Sequence, residues 1–323
     1  MIMFFTILAG VLVSAAIIAV LYSHYKTHEI EARYPAQGTT VQIADVQLHY
    51  VDCNSADADM GKPPLVFVHG ASSSSRDAML AFGDRFSSNQ RMIFVDRPGH
   101  GHSTRPHARY SDPRLQADVI AQLLNRLGIS QATLVGHSWG CAVVAAFALR
   151  HGKYIAGAVF IAPATHPWPG GVSLYYRLAG HRIVGPLFSW VFALPLGLKL
   201  LSDAVSGVFA PDAMPDDYAH RVAAQLVLRP SNFAANAQDV ANLKTNLAAL
   251  SQDYGQISCP ALVLTGTRDS VVWPHLHSHG LKRDLQHVEL IEYENCGHMP
   301  HHGRNEDVVA AIKVFQEKLS ASF

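Results

Sequence analysis

A chain of 323 residues, 49% hydrophobic and 15% charged, is long enough for one large domain, with or without an insertion. Its 25 Lys and Arg balance 25 Asp and Glu, which leaves no basic footprint for nucleic acid. A mean hydropathy of +0.11 hints instead at membrane contact. Four scattered cysteines, Cys53, Cys141, Cys259 and Cys296, form no C-x-x-C pair and read as buried free thiols, with a disulfide left open for an oxidising compartment.

In chain order, residues 1–22 carry no charged side chain, and Ile2 to Leu21 is apolar almost throughout. At 1.5 Å per residue that run spans about 30 Å of hydrocarbon. A secretory signal would want a basic start and a shorter apolar centre, so the segment is expected to be an uncleaved, single-pass anchor. Lys26 and Arg33 follow it and no Lys or Arg precedes it, which places the following domain weakly on the cytoplasmic side. Residues 23–38 read as a linker.

Thr39 to Asp52 alternates as an antiparallel hairpin turning near Ala44 and Asp45, and Asn54 to Pro64 reads as a polar loop. Short apolar runs then follow at Leu65 to Val68, Arg91 to Val95, Thr133 to Val135 and Gly157 to Ala162. They are separated by helical patterns near Arg76 and over Leu115 to Leu127. Strands alternating with helices predict an α/β fold around a mostly parallel sheet.

The rhythm breaks over 164–254, where helices interrupted by prolines are expected and no strand is evident. Within it, Ile183 to Leu198 is apolar enough for a second span. Its prolines and glycines, and its place between elements of one sheet, argue instead for a helical cap that packs on the core, lines an acyl pocket or dips into a membrane. The strand pattern resumes at Ala261 to Leu264 and His287 to Glu292, and a helix closes the chain over Asp307 to Lys318. The expected domains are thus an anchor (1–22), a linker (23–38), a core in two parts (39–163 and 255–323) and the cap (164–254).

The chemistry centres on Gly136-His-Ser-Trp-Gly140, a G-x-S-x-G turn between a strand and a helix. Such a turn lifts a serine from the sheet edge at a helix N-terminus, where the dipole favours developing negative charge. A serine hydroxyl needs a base, and the base needs a carboxylate to fix its tautomer. One candidate of each type follows a strand: Ser138, Asp269 and His298. Asp253 and Glu294 are rival acids, and His301 and His302 rival bases that Pro300 is expected to carry away. His69, His137 and Asp96 read as structural neighbours, and Cys141 as a small buried residue. The histidine groups His275/His277/His279 and His298/His301/His302 lack metal-site spacing, so neither metal nor cofactor is expected.

Four motifs together resemble the α/β-hydrolase fold family over about Thr39 to the C-terminus: His69-Gly70, Asp96 to Ser103, Gly136 to Gly140, and Gly266 to Asp269 with Gly297-His298. The resemblance implies an α/β-hydrolase core of the capped branch, a Ser138-His298-Asp269 triad, and an oxyanion hole from the backbone N–H groups of Ala71 and Trp139. It also implies a serine hydrolase, with an apolar or lipid-like ester as the favoured substrate. A lipase-type H-G-G-G is absent, since Ala71 and Ser72 follow Gly70. A proline-iminopeptidase-like peptidase, which shares the Ser-Trp-Gly elbow, remains open, as do a C–C bond hydrolase, a cofactor-free haloperoxidase and a binding protein that has lost catalysis.

Overall fold

A computed structural model describes residues 1–53, 59 and 61–321; most of the loop expected over 54–64 lies outside them. Eight strands form one sheet: β1 (Thr39–Ile43), β2 (Val46–Cys53), β3 (Leu65–Val68), β4 (Met92–Val95), β5 (Ala132–His137), β6 (Ile155–Ile161), β7 (Ala261–Gly266) and β8 (Val288–Tyr293). Their order is β1-β2-β4-β3-β5-β6-β7-β8. β2 runs antiparallel to β1 and β4, and every other pairing is parallel.

β3 to β7 are buried along almost their whole length, as strands covered on both faces must be. Side chains alternate between two cores with the period of the strand. Val66, Val68, Ile93 and Val95 point into one, with helices Pro113–Arg126 and Gly140–Arg150. Leu65, Phe67, Met92 and Phe94 point into the other, with helices Ser75–Phe82 and Asn305–Ser320. There the Phe67 ring stacks 4.7 Å from Phe94 and 5.0 Å from Phe82.

The N-terminal helix runs from Ile2 to Arg33, well into the segment read as a linker. Its charged end is stitched by Glu29 to Lys26 and Arg33, one-turn pairs that support a helix. Ile30, with Tyr34 just beyond, is buried against Leu194, Leu226 and Leu228, and Glu31 pairs with Arg229 at 3.0 Å.

Between β6 and β7 the described residues are helical or irregular throughout. Here Val184 to Phe209 forms one continuous 26-residue helix and is not interrupted. Pro195 falls at the start of its last segment, Leu194–Phe209, directly after a π-helical stretch, Ser189–Ala193. There the wider turn accommodates the missing proline N–H. The helix is long and apolar enough to cross a bilayer, but it joins β6 to β7, which are hydrogen-bonded neighbours. A single crossing would leave those two strands on opposite sides of the membrane.

Candidate active site

Ser138 leaves β5 with φ +50°, in the left-handed region that a non-glycine residue enters only when its surroundings hold it there. Three backbone bonds do so. Ser138 N–H donates to Ile161 O at 2.9 Å, and Ser138 O accepts from Cys141 N (3.0 Å) and Ala164 N (3.2 Å). A β-carbon on Gly140 would lie 2.2 Å from Val68 O, and one on Gly136 2.8 Å from Val144, so both flanking positions require glycine. Helix Gly140–Arg150 begins two residues past the serine.

Asp269 and His298 lie beyond the C-terminal ends of β7 and β8. Asp269 Oδ2 is 2.7 Å from His298 Nδ1, and Oδ1 accepts from the backbone N–H groups of Val271 and Val272 at 2.8 and 2.9 Å. Both side chains are buried. The His298 carbonyl accepts from His137 Nε2 at 3.1 Å, and the two rings sit 5.0 Å apart. That brings the imidazole to the neighbour of Ser138. Among the described residues Ser138 Oγ makes no hydrogen bond. The acid–base half of the constellation is therefore joined and the base–serine half is open, as is common until substrate binds. The loop after β3 runs against the serine: a β-carbon on Gly70 would lie 3.1 Å from Ser138 Cβ. The backbone N–H groups of Ala71 and Trp139 have no acceptor among the described residues.

The rival residues have other partners. Asp253 bonds Gln256 at the surface, and Glu294 bonds Thr267. His69 receives the Arg97 N–H on Nε2, while burial and the Arg97 charge hold its pKa well below normal. Asp96 accepts from His49 and from the Ser75 and His102 N–H groups.

His301 and His302, past Pro300, bond neither Asp269 nor Ser138, yet they stay in the core. Pro300 opens a one-turn helix, Pro300–Gly303, and both rings bond the buried Asp77 carboxylate, at 3.1 and 2.8 Å. Tyr218 O–H donates to the same group at 2.7 Å. Burial alone would raise the Asp77 pKa, but the two histidines hold it well below its usual range. His301 also packs 4.3 Å from His137. Asp77, His137 and His301 bring potential ligand atoms within 4.8 Å of one another, a donor set that sequence spacing did not reveal. Its carboxylate already accepts from three side chains.

A second cluster also escaped sequence reading. Asp239, the single acid of helix Pro230–Leu250, accepts from Arg97 (2.6 Å), His100 (2.9 Å) and Arg105 in full burial. Arg97 reaches on to the carbonyls of His69 and Gly70, both at 2.9 Å, and lies 4.1 Å over the Trp139 ring, a cation–π contact. The Trp139 indole N–H donates to Asp239 O at 3.2 Å. Asn236 bonds the Ser72 N–H at 2.7 Å and its hydroxyl at 2.9 Å. One helix of the insert thus fixes residues on either side of Ala71 and the ring of Trp139. The available signal was a lone acid in an otherwise nearly uncharged helix.

A strained serine elbow beside a buried His–Asp pair at the ends of parallel strands defines a hydrolase-type α/β fold. The chain belongs to the alpha/beta hydrolase family, whose model matches residues 65–312. It is 25% identical over 86% of its length to 99% of a proline iminopeptidase from Pestalotiopsis fici. It is 26% identical over 73% of its length to 80% of a 2-hydroxymuconate semialdehyde hydrolase from Pseudomonas putida. Among solved structures, a membrane phospholipase A described as a bacterial virulence factor shares the fold with a TM-score of 0.66. At 21% identity, that likeness covers 99% of both chains.

Proposed function

We propose that this protein is a membrane-anchored serine hydrolase that cleaves an ester with an apolar acyl part, using Ser138, His298 and Asp269. The observation that carries the reading is the 2.7 Å Asp269–His298 contact beside a serine held at φ +50°. Asp269 fixes the proton on His298 Nδ1, which leaves Nε2 as the base. Ser138 Oγ attacks the ester carbonyl and its proton passes to Nε2. The oxyanion is met by the N–H groups of Trp139 and Ala71, each such donor contributing about 3 kcal/mol in comparable sites. Collapse expels the alcohol, which takes the proton from His298. Water, deprotonated by the same nitrogen, then releases the acid and restores the serine.

Helices between 164 and 254 serve as the cap, and the apolar run of Ile2 to Leu21 as the anchor. A structural relative described as a membrane phospholipase accords with an apolar acyl group. The Ser-Trp-Gly elbow and the iminopeptidase relative favour a peptidase as the second reading.

The test is labelling by a fluorophosphonate probe, followed by turnover of p-nitrophenyl esters of graded chain length beside a prolyl amide. Wild type is expected to label and to prefer the longer esters, and Ser138→Ala to do neither. Labelling that survives the substitution puts the nucleophile elsewhere, and preference for the amide selects the peptidase.

A further inference from the structure

The helical insert keeps a bare apolar face. Leu174 is 65% exposed, Ile183 80%, Val184 46% and Leu187 63%, although Gly185, Ser189, Ala193 and Leu194 close by are buried against the protein. Apolar side chains left open this close together in sequence mark a surface that another phase or partner covers. From Leu174 to Leu201 there is no acid, while Arg177, Arg182 and Lys199 are exposed.

Position supplies the occupant. The Trp190 ring lies 6.4 Å from His24, and His24 stands three residues past Leu21, the end of the apolar run. At 1.5 Å per residue that is about 5 Å beyond the hydrocarbon, the depth at which Trp and Tyr concentrate. The burial of Ile30 and Tyr34 against Leu194 and Leu226 fixes the helix and the insert to each other.

We infer that the face around Leu174, Ile183, Val184 and Leu187, on the anchor side of Trp190, is a second, interfacial membrane contact, seated in an anionic leaflet beside the anchor. Apolar side chains enter the acyl boundary while Arg177 and Arg182 meet lipid phosphates. The insert then rests on the surface that holds the ester substrate. This rests on the reading of residues 1–22 as an anchor.

The full chain is reconstituted into phosphatidylcholine–phosphatidylglycerol vesicles doped with a phosphatidylcholine that carries a diazirine in its acyl chain. It is photolysed, and the adducts are mapped by mass spectrometry. Adducts are expected on 2–22 and on 174–200. Adducts on 2–22 alone overturn the second contact and leave the anchor standing; adducts on neither overturn both. Labelling of 174–200 that appears only as protein is diluted in the bilayer marks a face covered by a second copy, and also overturns the proposal. In I183E/L187E, which alters only exposed positions, labelling of 174–200 is expected to fall about tenfold with 2–22 unchanged. An unchanged yield there counts against the inference.

Discussion

One short loop supplies two buried histidine–carboxylate couples. His298 bonds Asp269 at 2.7 Å; three and four residues on, His301 and His302 bond Asp77 at 3.1 and 2.8 Å. Both carboxylates are buried, so the pairing itself does not distinguish a working base from a structural one. The surroundings differ. Asp269 spends its second oxygen on two backbone N–H groups and faces one imidazole. Asp77 binds two imidazoles and the Tyr218 hydroxyl, tying helix Ser75–Phe82, the insert and the His298 loop together. The first couple orients a ring beside the serine elbow; the second saturates its acid and joins three segments of chain.

The sharpest way to break that contrast is to remove one charge from each couple. Asp269→Asn keeps an acceptor for Val271 and Val272 but no longer fixes the tautomer of His298. Ester turnover is expected to fall about 10⁴-fold, with a thermal unfolding midpoint close to that of wild type. A loss under tenfold would move the acid elsewhere.

Asp77→Asn should act in the opposite way. Leaving buried imidazoles without their carboxylate costs about 3 to 5 kcal/mol, so the unfolding midpoint should drop, while turnover per fluorophosphonate-labelled molecule stays within about threefold of wild type. Ester kinetics normalised to labelled protein, beside a melt in detergent, measure both. A variant that melts normally but has lost activity would make Asp77 part of the chemistry and erase the distinction.

The difference in legibility between the two couples has a physical cause. Buried parallel strands need short apolar runs, so β3 to β7 stand out in the sequence; Ser138 and Asp269 can be named as residues that follow β5 and β7, and His298 as one that follows the half-exposed edge strand β8. Asp77 lies on a helix, and its partners come from 141 to 225 residues away; no local pattern encodes that meeting. Asp239 is hidden in the same way, since its cations come from the loop after β4. The turn that keeps His301 and His302 in the core is hidden because a proline both ends a helix and suits the first position of one, and it is the second role that Pro300 takes. The same ambiguity hides the continuity of Val184 to Phe209.

Acid should separate the insert and its supports from the serine site by a smaller, graded effect. Burial, reinforced by the Arg97 charge, pushes His100 down to about 4. Burial, with His166 next, does the same to His277. His69 and His137 are also held well below the usual value, first by burial. For each, the unfolded chain takes up a proton near pH 6.5 while the folded chain refuses it until a lower pH, about 4 for His100 and His277. Their contribution to stability is therefore complete above about pH 6.5 and lost as pH falls toward 4. His49, raised through Asp96 despite its burial, works in the other direction, but it is one group against these four and against His102, His166 and His301, which burial also lowers. The depressed carboxylates of Asp77 and Asp239 weaken the fold only below about pH 4, where the unfolded acids protonate. Melts at pH 7.5, 6.5, 5.5 and 4.5 should show a flat midpoint over the first step and a progressive fall over the next two. In Asp239→Asn, where His100 loses its carboxylate partner while the Arg97 charge remains, the acid slope should steepen. A midpoint that rises on acidification would mean that the buried histidines are charged in the folded protein and add ion pairs of their own to both clusters.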